Sequence, residues 1–408
     1  MANGVKKTII IIGVLFMSAC GDGGHFLFDD PNSYIQQEPG RTRHAVFFES
    51  APMQPAKYEP LNSTLIGLYT DALPAPDGRV IANVEASLGV NHAVFMEVIR
   101  LGDDFPSLWI LECIAEHKIP VIVMLPPDRE DPFGNQWEQD LTEVALAFSE
   151  FSMPMYVIFY PVPANSGWDT TTYIAFFRYA RALFAIHAPH VAFIWAVDSD
   201  VVNFTDYFPG SQAIDWVGLS IFSSYADLMP GLLPMDRFLN FYHTFQLDAP
   251  IMLNLGLSHF STDDHRYHIS ETAEAMIEVY RNIVEGFPRI RMVIYMDISR
   301  TDYNGQDFRI NMDSALRAAY RESVSNFMTG TPPHFDDNLF TLPIRSAYTA
   351  IVDDGQIFID IRIFEELNLQ TPYQFTWMDG ARMVDAEILN AVLYRGQVHI
   401  TPPKTVYR

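Results

Sequence analysis

Between Leu61 and Asn326, short apolar runs alternate with longer amphipathic stretches. Each short run is four to six residues, ends in polar or small residues, and suits a strand buried on both faces. Eight such runs occur: Thr64-Tyr69, Ala93-Val98, Val121-Met124, Tyr156-Tyr160, Ala192-Ala196, Trp216-Ser220, Ile251-Asn254 and Met292-Met296. The stretches between them include Trp137-Phe151, Thr171-His187, Ser270-Gly286 and Met312-Phe327, with the spacing of helices that bury one face. Strand-helix alternation repeated eight times in about 260 residues predicts an α/β fold of the (β/α)8 TIM-barrel type over residues 61–330. An open doubly wound sheet is the rival, but no glycine-rich phosphate turn follows the first strand.

The pattern changes on both sides of this region. After Pro332-Pro333, residues 336–408 are rich in β-branched and aromatic side chains, with turns at Asp353-Asp354-Gly355 and Asp379-Gly380 and a helical piece near Ile361-Leu369. They predict a small α+β or mainly β appendage. Its segment Ile357-Phe358-Ile359-Asp360-Ile361-Arg362 faintly resembles stalk-like modules of Gram-positive surface proteins and points to no chemistry. At the other end, Lys6-Lys7, the apolar run Thr8 to Met17 and small Ser18-Ala19 read as a secretory signal over residues 1–19. The apolar run is short for a bilayer span. Cys20 directly after Ser18-Ala19 resembles the lipobox of bacterial lipoproteins, which implies cleavage before Cys20, lipidation there and an anchor on the outer face of the cell membrane. The competing reading is an ordinary signal peptide. Residues 20–60 read as an irregular tether that packs on the barrel.

Charge narrows the partners. With 50 Asp and Glu against 26 Lys and Arg the formal net charge is -24, a field that repels nucleic-acid backbones and leaves neutral glycans open. Cys113, the one cysteine besides Cys20, lies in an apolar helical stretch and reads as a buried free thiol, so neither a disulfide framework nor a cysteine metal site is expected. No cofactor fingerprint is present.

The segment Tyr207-Phe208-Pro209-Gly210-Ser211-Gln212-Ala213-Ile214-Asp215-Trp216-Val217-Gly218 resembles the run leading into strand six of glycoside hydrolase family 26, where Tyr-Tyr-Pro-Gly precedes Val-Asp-Trp-Val-Gly. Phe193-Ile194-Trp195-Ala196 is similar to the family's strand five, Tyr173-Ile174-Ala175-Phe176-Phe177-Arg178 to the helix after strand four, and Ile119-Pro120-Val121-Ile122 to strand three. The resemblance implies two carboxylates at the ends of strands four and seven, one protonating the leaving oxygen and one attacking the anomeric carbon. The matched stretches are Tyr160-Pro161-Val162-Pro163-Ala164-Asn165-Ser166-Gly167 and Pro250-Ile251-Met252-Leu253-Asn254-Leu255. They set Ala164 at the acid's position and Leu255 at the nucleophile's, and Leu125 at an acidic position of strand three. Neither Ala nor Leu can carry the step.

Other carboxylates stand near strand ends: Asp71, Glu97, Asp128, Asp198, Asp200 and Asp297. Asp198 with Asp297 is the pair to consider as a relocated catalytic couple; helix capping and loop bonding are the competing roles. Trp168, Tyr225 and Phe260, with Asp128 and Asp200, are the expected sugar contacts, against simple loop packing. His259, His265 and His268 beside Asp263 and Asp264 invite a metal, but without a rigid ligand pair they read as a solvated loop and no metal is expected. Three functions follow: a surface lipoprotein whose non-catalytic barrel binds polysaccharide, oligosaccharide or a partner; an endo-acting hydrolase of mannan or a related β-glycan using displaced carboxylates; or a scaffold positioning the C-terminal module.

Overall fold

The structure is a computed structural model that describes residues 41–71, 80–127, 137–163, 167–228, 235–300, 305–325, 328–335, 337–372 and 374–401. Eight parallel strands close a barrel: one Thr64–Thr70, two Val94–Arg100, three Ile119–Leu125, four Met155–Phe159, five Val191–Asp198, six Trp216–Ser223, seven Ile251–Leu257 and eight Ile290–Asp297. Strand eight pairs with strand seven on one side and strand one on the other, with Met292 beside Leu65 and Asp297 beside Thr70. The helices Ile81–Leu88, Ser107–Ala115, Trp137–Ser149, Thr170–His187, Met235–Phe245, Ile269–Gly286 and Ser314–Ser325 follow strands one to four and six to eight. Strand and helix limits fall within a few residues of those read from the sequence pattern. Among the described residues no helix is long and apolar enough to cross a membrane; residues 1–40, with Cys20 and the signal, lie outside them.

Because successive strand residues face opposite sides, each strand feeds two cores. Leu65, Val94, Met96, Val121, Tyr156, Ile158, Ile194, Trp216, Met252 and Ile294 fill the bore. Ile66, Leu68, Phe95, Ile122, Phe159, Phe193, Trp195, Leu219, Leu253, Leu255 and Tyr295 pack outward under the helices. This double burial is why the strands read as continuous apolar runs. Cys113 is buried in the outer layer, where burial raises its thiol pKa.

The floor of the barrel is sealed by the chain entering strand one. Trp216 Nε1 donates to the Lys57 carbonyl at 2.8 Å, Tyr156 Oη to the Tyr58 carbonyl at 2.7 Å, and Tyr58 Oη to the His190 carbonyl at 2.6 Å. Buried Glu59 is ion-paired with Arg289, and Arg291 Nε lies 3.6 Å from the same carboxylate oxygen.

The tether expectation needs correction here. Arg41–Glu49 is not irregular: it is an internal strand of a seven-stranded sheet whose other members lie in residues 343–400. It pairs antiparallel with Pro343–Asp353 and parallel with Gln397–Ile400. Its apolar stretch Ala45-Val46-Phe47-Phe48 is too brief to declare a strand alone, and its partners arrive some 300 residues later. Gln356–Asp360, the helix Arg362–Glu366, Thr376–Met378, Ala381–Asp385 and Val392–Tyr394 complete this mostly-β part. Its core is Val46, Ala350, Ile359, Ile361, Phe364, Val384, Val398 and Ile400. Arg345 ties it to the barrel: its backbone N–H and carbonyl bond the Gln246 side chain at 3.2 and 2.9 Å, and its guanidinium lies 4.6 Å over the Phe287 ring.

Candidate functional site

With the floor closed, the accessible end of the barrel is the rim formed by the C-terminal strand ends, where such barrels place their chemistry. The period-two pattern fixes which rim residues face the bore. On strand five Ala196 faces inward, and so does Asp198 two residues on. On strand six the inward series is Trp216, Gly218, Ser220 and Phe222; on strand seven it is Met252, Asn254 and Gly256. Asp198 stands beside Ser220, and Ser220 beside Asn254. Three polar side chains thus form one row across adjacent strands. Asn254 Nδ2 donates to Ser220 Oγ at 3.1 Å, and buried Asn254 Oδ1 has no hydrogen-bond partner among the described residues. Asp198 Oδ1 accepts from the Asp200 backbone N–H at 2.9 Å, which holds the half-buried carboxylate at the lip.

Most other described bore-facing positions at the rim are apolar. Tyr69, Val98, Leu125 and Phe222 are partly exposed there, and Met96, Met296, Ile298 and Phe308 are buried beside them. Phe308 comes from the loop after strand eight and fills the bore over strand seven, its ring 5.6 Å from that of Phe222. Gly256 makes room for it: a Cβ there would lie 2.8 Å from Phe222 and 3.1 Å from Phe308. An apolar collar with one polar sector suits a ligand that has both C–H faces and hydroxyls.

Several residues singled out from the sequence go elsewhere. Leu255, matched to the nucleophile's position, points into the outer layer, away from the bore, because one step along a strand reverses the face. Its inward neighbours, Asn254 and Gly256, are not acidic. Asp297 lies between inward Met296 and Ile298 and therefore turns outward. It accepts from the Ile310 N–H at 2.6 Å and from Thr70 Oγ1 at 3.2 Å, securing the turn Ile310–Met312. Burial, with the Asp71 charge adding to it, pushes its pKa up to about 6. The proposed couple is thus not assembled: Asp198 faces the bore and Asp297 faces away from it. Asp71 accepts from the Ser299 N–H at 3.1 Å, and Glu97 lies on the outward face of strand two, its carboxyl pKa raised by burial.

Trp168 stacks on Tyr173 at 5.5 Å and 16°, against the outer layer at the start of the helix Thr170–His187, so it serves packing. Tyr225 stacks on His268 at 4.0 Å, and Phe260 meets Tyr267 edge-on at 5.1 Å; these four remain partly exposed or exposed in the loops after strands six and seven. Asp200 is exposed beside Asp198. Asp128 and Ala164 lie outside the described residues. Of the histidines, buried His259 places Nε2 3.0 Å from the Arg309 carbonyl, so that nitrogen carries a proton; burial lowers its pKa and keeps the ring neutral near pH 7. His268 Nε2 lies 2.9 Å from Asp264, and His265 is exposed. Among the described residues no three His, Cys, Asp or Glu side chains stand together as metal ligands.

Ser220, Asn254 and Phe308 were not singled out from the sequence. The signal for the first two was present: each is a polar residue on the inward register of an otherwise apolar strand. Phe308 had none, since only the fold brings its loop over the bore.

No protein-family model matches the sequence, and no relative is found among curated proteins. Among solved structures, a modular endo-β-1,4-mannanase of Cellulomonas fimi, described with the family 26 glycoside hydrolases, superposes with a TM-score of 0.51 at 10% identity, covering 79% of this chain and 88% of that one. The YdhT protein of Bacillus subtilis gives 0.44 at 14% identity over 66% and 88%. The exo-β-1,4-mannosidase Op5Man5 of Opitutaceae bacterium strain TAV5 gives 0.45 at 11% over 66% and 63%. At such identities the likeness is one of fold, and it rests on the Cellulomonas fimi enzyme: the chain carries a family 26-like (β/α)8 barrel with a mostly-β part appended.

Proposed function

We propose that this protein binds a neutral polysaccharide at the mouth of a hydrolase-like barrel without cleaving it, held on the outer face of a bacterial cell membrane by lipid on Cys20. The observation that carries this reading is the polar row Asp198-Ser220-Asn254. Among the described strand residues at the rim it contributes one inward carboxylate, on strand five, whereas glycoside hydrolysis needs two flanking one bond, about 5–5.5 Å apart for retention or roughly 6.5–9.5 Å for inversion. Asp198 accepts hydrogen bonds from sugar hydroxyls, Ser220 gives or takes one while Asn254 Nδ2 orients its hydroxyl, and Tyr69, Leu125 and Phe222 offer apolar surface to ring C–H faces. The net charge of -24 favours a neutral glycan over an acidic one.

The mannanase fold makes β-mannan the first polysaccharide to test, followed by glucan and xylan. The soluble body should be retarded in gels containing one of them, release no reducing ends on long incubation, and lose affinity about tenfold on Asn254→Ala. Reducing-sugar release that disappears with Asp198→Asn overturns the non-catalytic reading. A scaffold role draws support from Phe308, which packs part of the mouth shut; it predicts no retardation by any glycan. For the anchor, a Cys20→Ala chain should pass from the membrane to the soluble extracytoplasmic fraction.

A further inference from the structure

The sheet that follows the barrel ends in an edge strand, Thr376–Met378, whose chemistry no barrel function uses. Trp377 is 68% exposed and Phe375 is 42% exposed, high values for large aromatic rings. They are two residues apart, and their rings stand at 83° with centroids 5.9 Å apart, so that they form an open right-angled corner. Arg382 lies directly across the ladder from Trp377, and its guanidinium sits 5.6 Å over the Phe375 ring. A planar set of donors therefore stands beside two apolar ring faces.

We propose that this corner is a second polysaccharide-binding site, which grips single soluble chains of neutral pyranose units. Each feature selects that occupant. Aromatic faces take the C–H face of a pyranose, and Arg382 donates to its hydroxyls. Two partly exposed rings and one guanidinium offer on the order of 300 Å², well under the roughly 800 Å² per partner of a stable protein interface. Two copies each carrying a charge of -24 also repel one another, and polyanions are repelled for the same reason. The right angle decides between forms of glycan. A flat crystalline surface needs coplanar rings, whereas a corner holds one unit from below and from the side. The corner and the barrel mouth belong to separate sheets, so a substitution in one leaves the other in place.

The test compares wild type, Trp377→Ala, Phe375→Ala and Asn254→Ala as full soluble bodies, each checked for an unchanged melting temperature. Affinity electrophoresis in soluble mannan, glucomannan, β-glucan and xylan is run beside pull-down on crystalline cellulose. Retardation in at least one soluble glycan that weakens fivefold or more with Trp377→Ala, remains in Asn254→Ala, and is not matched by cellulose binding supports the corner. Retardation unaffected by Trp377→Ala and Phe375→Ala, or none in any glycan, overturns it. A change of oligomeric state in Trp377→Ala, read by light scattering, overturns it in favour of a protein interface. Loss of retardation confined to Asn254→Ala keeps the barrel-mouth reading and removes this one.

Discussion

Replacing Asp297 by Asn tests the assignment of that carboxylate to the outer layer. The side chain is 3% exposed, so solvent does little to screen its charge. Burial is the largest cause of its raised pKa, about 6 against an ordinary 3.8. The folded state therefore holds a proton that the unfolded chain releases, and stability falls as pH rises from about 4 to about 6. Two units of difference at about 1.4 kcal/mol each give a cost near 3 kcal/mol for the ionised form at pH 7. Asparagine keeps an oxygen for the Ile310 N–H, lets the Thr70 hydroxyl turn to accept from its amide, and carries no charge. With an unfolding entropy of about 2 cal/mol/K per residue, 3 kcal/mol is roughly 4 °C in a chain of this length. Calorimetric scans of both proteins between pH 4 and pH 7 should coincide at the acid end and diverge to about 4 °C in favour of Asp297→Asn at pH 7. A gap that does not change with pH, or a variant less stable at pH 7, refutes the argument and returns Asp297 to the list of functional carboxylates.

Leu255→Glu places a carboxylate in a closed apolar layer and should cost several kcal/mol in denaturant unfolding, whereas the volume-conserving Leu255→Met should cost under about 1.5; equal tolerance of both would mean that Leu255 faces the mouth after all. At the floor, burial pushes the Glu59 carboxyl pKa up and the Arg289 pKa down in spite of their contact, so the ion pair gives no net stabilisation over the solvated ions. Glu59→Gln should nonetheless lose about 3–5 kcal/mol, because Arg289 and Arg291 then stay buried without that charge; an unchanged urea midpoint would show that the barrel floor does not depend on it.

The eight strands and most of the helices were legible in the sequence because each strand is buried on both sides and carries its own apolar run. So was the buried thiol of Cys113. The facing of single residues was less secure. Matching Pro250-Ile251-Met252-Leu253-Asn254-Leu255 to a relative's strand locates the strand, but the chemistry depends on which of Asn254 and Leu255 looks inward. That is set by the register of the closed sheet, and an error of one residue exchanges bore for outer layer. For Asp297 likewise, sequence gave a carboxylate at a strand end, and the structure made it a cap for the turn that follows.

Local spacing by itself determined what repeats within a few residues: strand, helix, their alternation and the acidic charge. Tertiary structure alone decided what depends on distant segments meeting. Arg41–Glu49 became a strand because Pro343–Asp353 and Gln397–Ile400 came to lie beside it. Phe308 reached the bore through the loop after strand eight, and Asp198, Ser220 and Asn254 became one row only when three strands aligned. Hydrogen bonds and packing between such segments are worth nothing until the chain closes on itself, so no window along the sequence contains them.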